Sequence, residues 1–113
     1  MSPEEIVQKQ VESYNNRDIN QFASCHHPAV ELYTFGQDKP FLQGRAALKS
    51  RYKDIFDQSP NLHSEVTERI TLNDIVIDKE IITGRVGVER ANFIAIYQIK
   101  DGLIAKVNFV SDL

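Results

Sequence analysis

The chain has 113 residues, 42% of them hydrophobic and 26% charged, and carries a net charge of −3. That is the length of one domain, enough for a single core and a small pocket. The basic residues are scattered, which excludes the electrostatic footprint of a nucleic-acid or anionic-membrane binder, and no apolar run approaches the ~20 residues of a bilayer span.

The N-terminus, MSPEEIVQK, lacks the basic start and apolar stretch of a secretion signal. It reads as a helix start: Ser2 caps, Glu5 reaches back, and Pro3 sits where its missing N–H does no harm. Ile6, Val7, Val11 and Tyr14 then recur at helical spacing through about Asn15. Gln10 falls on the same stripe, where a polar side chain either bonds a neighbouring backbone or lines a cavity. Asn15-Asn16-Arg17 ends this helix. Asp18 caps a short second one, with Gln21 at the capping-box position and Ile19, Phe22 and Ala23 turned inward, and it must stop before Pro28. Cys25 is the only cysteine. It reads as a small packing residue, and with no internal disulfide available a reducing cytoplasm is the expected setting. His26 and His27 diverge at the helix end and have no Asp or Cys at ligand spacing, so no metal is expected there.

VELYTF, residues 30–35, alternates as a strand does, and GQDKP turns the chain into a brief strand at Phe41-Leu42. Gly44 opens a third helix, RAALKSRYKDIFDQ, with Ala47, Leu48, Tyr52, Ile55 and Phe56 inward and Pro60 marking its end. Strands are predicted over 62–72, 75–86, 91–100 and 103–110, with a tight hairpin at Lys100-Asp101-Gly102. Gly84 and Gly87 fall where a long strand would bend, as a bulge or kink in a curved sheet. Helix, helix, hairpin, helix and four antiparallel strands make an α+β layout with helices on one face of one sheet.

The stretch HSEVTERITLNDIVIDKE, residues 63–80, concentrates the chemistry. With Asn73-Asp74 as a two-residue turn, Arg69 lies opposite Asp78, Thr67 opposite Glu80 and Glu65 opposite Ile82, all on one face with His63. Arg69 can then bridge Asp78 and Glu80. The other face carries Val66, Ile70, Leu72, Ile75, Ile77 and Ile81. Either the polar face is solvated, its ion pairs worth under about 1 kcal/mol, or a curved sheet shelters it as a network. In the second case His63 is the natural proton-transfer group.

YNNRDINQF (14–22), HPAVELYTF (27–35), FLQGRAALKSRY (41–52) and IAIYQIKDGLIAKVNFV (94–110) together resemble the nuclear transport factor 2-like superfamily, in its SnoaL-like and ketosteroid isomerase-like subgroup. The resemblance covers residues 1–113 as one SnoaL-like domain. It implies a cone-shaped curved antiparallel sheet wrapped around three helices, with a mostly apolar pocket at the open end. It also implies a homodimer through the outer sheet face and no cofactor; the strand surface around Ile94, Ile96 and Ile104 is the expected contact.

The catalytic set of ketosteroid isomerase does not carry over. Its base falls at Tyr33 or Thr34, its helix-one tyrosine at Gln10 and its oxyanion aspartic acid at about Ala95, and none matches. A carboxylate–arginine–carboxylate trio is similar to that of limonene epoxide hydrolase, though on different strands. The remaining expectation is acid–base chemistry on a small apolar, oxygenated molecule. His63, Asp78, Glu80 and Arg69 are the candidate catalytic residues, Tyr33 orients the ligand, and Tyr14, Gln10, Tyr52, Phe93 and Tyr97 line the pocket. The alternatives are a non-catalytic ligand binder or a dimeric protein-interaction domain.

Overall fold

The computed structural model describes residues 1–113. Helix α1 (Pro3–Asn15) opens with a reciprocal capping box: Glu5 N–H donates to Ser2 Oγ at 3.2 Å and Ser2 N–H donates to Glu5 Oε1 at 2.9 Å. Its buried stripe is Ile6, Val7, Gln10, Val11 and Tyr14, with Ser13 beside them. Helix α2 (Ile19–Ser24) is capped by Asp18, whose carboxylate accepts from Gln21 N–H at 3.1 Å, so only the first half of a capping box forms.

Strand β1 (His26–Thr34) begins four residues before the predicted Val30. Pro28 does not prevent this, because it falls in the irregular stretch between His26 and Glu31 where the ladder to the neighbouring strand is interrupted. A two-residue strand β2 (Leu42–Gln43) leads through Gly44 into α3 (Arg45–Gln58). Leu48, Ile55 and Phe56 are buried there and Tyr52 is half-buried, but Ala47, expected inward, is exposed. The rest is three hairpins: β3 (His63–Leu72), β4 (Ile75–Arg85), β5 (Val88–Lys100) and β6 (Leu103–Ser111).

The sheet order is β2-β1-β6-β5-β4-β3, and every neighbouring pair is antiparallel except β1 and β6, which run parallel with Leu32 opposite Val107. The sheet curls, with the helices against its concave face. Asn15 fastens α1 to β3: its Nδ2 donates to the Ser64 carbonyl at 3.0 Å and its Oδ1 accepts from Ser64 N–H at 2.7 Å. Gly87 is not a kink within a strand. It takes φ +78 in the two-residue turn that pairs Arg85 with Val88, so β4 and β5 form one tight hairpin. Gly84 makes the close approach instead, since at φ +71 an added Cβ would lie 2.1 Å from the Asn61 carbonyl oxygen. No helix is long and apolar enough to cross a membrane.

Candidate active site

The β3–β4 ladder starts in the predicted register, with Ile70 opposite Ile77, Arg69 opposite Asp78 and Glu68 opposite Lys79. Beyond that point Glu80 meets Val66, not Thr67. Thr67 is the extra residue of a β-bulge, and its Oγ1 donates to the Lys79 carbonyl at 3.2 Å. An inserted residue moves everything before it to the opposite face. Glu65 therefore pairs with Ile81, Ser64 and Val66 turn inward, and His63 is exposed. His63 does not share the face of Asp78 and Glu80, which removes it from the expected catalytic group.

Arg69 does not bridge the two carboxylates either. Its Nε donates to Asp78 Oδ1 at 2.6 Å and its Nη2 to Asp78 Oδ2 at 2.9 Å, while Nη1 donates to Gln8 Oε1 at 2.9 Å. Asp78 is fully buried in this fork and, like Arg69, does not line the cavity. Tyr33 is displaced by strand parity. Leu32 and Thr34 face the cavity, whereas Tyr33 lies on the outer face, its ring centroid 4.7 Å from Lys106 Nζ. Its expected ligand-orienting place is empty of it.

Between the helices and the concave sheet lies a cavity of about 410 Å³. Gln10, Tyr14, Tyr52, Phe93 and Tyr97 line it as expected, and Glu80 is the one acidic side chain on its wall. One side is an aromatic cluster, with Phe22 and Tyr52 rings 4.7 Å apart and Tyr14 edge-on to Phe56 at 5.6 Å. Gln10 Oε1 is buried with no hydrogen-bond partner, and the Ser64 hydroxyl lies beside the Glu80 carboxyl. Buried polar atoms are nearly always paired, so the unpaired Gln10 oxygen on a cavity wall marks a place suited to a polar guest.

Glu80 is the electrostatic focus. Burial raises its carboxyl from 4.5 to about 7. The Asp78 carboxylate adds to that rise, while Arg69 and the nearby hydroxyls of Ser64 and Tyr97 oppose it. His26 is the second buried titratable group on the wall. Its Nδ1 lies 2.8 Å from the Phe22 carbonyl and its ring 4.8 Å from the Phe22 ring. Burial lowers it from 6.5 to about 4, so the imidazole is neutral near pH 7, donating from Nδ1 and leaving Nε2 as an acceptor.

In the sequence, His26 beside His27 suggests only a metal ligand. The irregular stretch between His26 and Glu31 breaks the strand alternation, so no local pattern signals the place of His26 on the wall. Arg51 stands one residue before Tyr52 on the flank of α3 that faces the cavity. Arg85 gives no such signal. Val76, Asp78, Glu80 and Ile82 set an even-numbered inner face on β4, and the left-handed backbone at Gly84 resets the alternation just before Arg85.

No curated protein sequence matches the chain. A family model described as a SnoaL-like domain matches residues 7–107. Among solved structures, a cystatin-fold protein from Novosphingobium aromaticivorans superposes with a TM-score of 0.89 at 20% identity, covering 97% of this chain and 98% of that one. A protein of unknown function from Cytophaga hutchinsonii, described as like nuclear transport factor 2, gives 0.84 at 10% identity over 99% and 91% of the two chains. IdmH, a proposed polyketide cyclase from Streptomyces antibioticus, gives 0.78 at 16% identity over 99% and 93%. Identities this low carry the fold alone, and the fold they share is the curled sheet over three helices described above. With nine-tenths of its length matched, the chain belongs to the SnoaL-like domain family.

Proposed function

We propose that the cavity binds a small apolar, oxygenated molecule and that Glu80 transfers a proton on it. One observation carries this reading: a buried carboxyl with a pKa of about 7 faces an otherwise largely apolar cavity. The volume falls in the range of small-molecule sites, roughly 300–1,000 Å³. An acid–base group works best when its pKa lies near the working pH, where both protonation states are populated. Glu80 stands on β4, away from the β1 position at which the base of ketosteroid isomerase aligns, so the chemistry would be reached with a different residue. The buried hydroxyls of Tyr14 and Tyr97, each held well above the usual phenol range mainly by burial, are donors for an oxygen that gains charge as the proton leaves. A fold neighbour described as a polyketide cyclase is in keeping with this class of activity.

The test is deuterium exchange into the enolisable ketone 2-tetralone, followed by proton NMR with wild type and Glu80→Gln. Exchange should be catalysed by wild type and fall by two to four orders of magnitude in the variant, as expected for loss of a general base, roughly 10²–10⁴-fold. Equal exchange rates in the two proteins would remove Glu80 from the chemistry.

The outer sheet face supports a second element of the proposal, a homodimer. Ile70 and Leu72 are 66% and 74% exposed, and Ile77, Ile94 and Ile96 continue the apolar surface across β4 and β5. Ile104, expected on this surface, is fully buried in the core instead. A contiguous apolar patch on a sheet is the usual mark of a protein contact.

A further inference from the structure

Two cavity residues play no part in the proton transfer. Arg51, on α3, and Arg85, at the end of β4, both line the cavity, and neither makes an ion pair. Arg51 is exposed and Arg85 half-exposed, which places them where the cavity opens to solvent. Tyr52 lines the same cavity, and the positive charges of both arginines offset part of the rise that burial imposes on its hydroxyl. The single acidic side chain in the lining is Glu80, which is only about half ionised near pH 7. The cavity's charged side chains are therefore predominantly positive, in a chain whose net charge is −3. Gln10 and Ser64, which also line the cavity, are buried, whereas Arg51 is exposed.

We propose that Arg51 and Arg85 form a specificity site for an anionic group, so that the molecule taken up is an apolar carboxylic acid. Its carboxylate sits between the two guanidiniums, its rings lie against Phe22, Tyr52 and Phe93, and its oxygenated end points toward Glu80, Gln10 and Ser64. Guanidinium groups present planar N–H forks that match a carboxylate. Charge complementarity of this kind selects among ligands of equal apolar bulk. The inference rests on the cavity being a small-molecule site and names the class of molecule it selects.

The test is isothermal titration of 2-naphthoate and the isosteric neutral 2-naphthamide into wild type and an Arg51→Gln/Arg85→Gln double variant. Both arginines reach solvent, so the substitutions leave the core untouched. Wild type should bind the carboxylate at least about tenfold more tightly than the amide, the increment expected of a charge-assisted contact. The double variant should bind the two alike, with the amide unaffected. Equal affinities in wild type, or a carboxylate preference that survives in the double variant, would overturn the inference. So would failure of both probes to bind, and 2-tetralone exchange then tells the two readings apart. If exchange persists, only the anion site falls; if it is absent as well, the small-molecule reading falls with it.

Discussion

Asp78 and Glu80 are neighbours on the inner face of β4, yet Arg69 gives both arms of its fork to Asp78 and none to Glu80. Two buried carboxyls of like chemistry are thus separated by one arginine. One is held in the fork of Arg69, and the other has its carboxyl pKa raised to about 7 by burial and by the neighbouring Asp78.

Breaking the fork should act differently at its two ends. Arg69→Leu leaves the fully buried Asp78 without its partner and should destabilise the fold by roughly 3–5 kcal/mol in urea denaturation. Asp78→Asn should cost less, because the Arg69 side chain retains some solvent contact and its bond to Gln8. That variant also removes the nearest anion from Glu80, so the midpoint of proton transfer against pH should move below 7. An unmoved midpoint would mean that Asp78 does not tune Glu80.

Glu80 and His26 should impose opposite pH dependences on stability. The folded pKa of Glu80, about 7, lies above its ordinary value of 4.5. Its burial therefore carries no penalty below pH 4.5, and stability falls as pH rises from 4.5 through 7. The folded pKa of His26, about 4, lies below its ordinary 6.5, with Arg45 as the nearby charge. Its penalty is absent above pH 6.5, and stability falls as pH drops toward 4. Each slope is about 1.4 kcal/mol per pH unit within its window, so between pH 4.5 and 6.5 the two nearly cancel. Glu80→Gln should unmask a curve rising from pH 4 to 6.5 and gain on the order of 3 kcal/mol at pH 8. His26→Gln should unmask the falling curve. Urea midpoints between pH 4 and 8 for the three proteins measure this, and parallel curves would refute it.

Gly84→Ala should destabilise by more than about 2 kcal/mol, since the new methyl meets the Asn61 carbonyl and the left-handed backbone is strained for any other residue. Gly87→Ala, at a turn position with open space around it, carries only the backbone term and should cost about 1 kcal/mol. Paired thermal melts check the order of the two losses.

If the outer sheet face joins two copies, wild type should sediment as a dimer at micromolar concentration and Ile70→Lys/Ile94→Lys as a monomer of unchanged helicity. Both side chains are already exposed in one copy, so the fold should tolerate the change. A wild-type monomer would exclude the contact.

The element order, helix caps and turns were legible because each is written locally. Ser2 with Glu5, Asp18, Gly44 and Asp101-Gly102 act within a few residues of where they stand. The pairing of Arg69 with Asp78 was legible too, since it lies close to the Asn73 turn that sets the register. Farther along the same strand the reading failed at a single residue. Thr67 is a good strand former, and no glycine marks the bulge, so alternation alone continued through it and put His63 on the wrong face. Tyr33 follows a related logic: its hydroxyl suits a pocket, but the parity of Leu32 and Thr34 directs it outward. Arg85 depended on the backbone turn at Gly84, a long-range contact with Asn61 that no local pattern encodes.

The parallel seam between β1 and β6 has a consequence for how this protein comes to be made. Until the last strand has left the ribosome, β1 has only the two residues of β2 to pair with, and one wall of the hollow has nothing to close against. Closure therefore waits on a contact spanning most of the polypeptide, a topology that folds slowly and leaves an apolar edge open during synthesis.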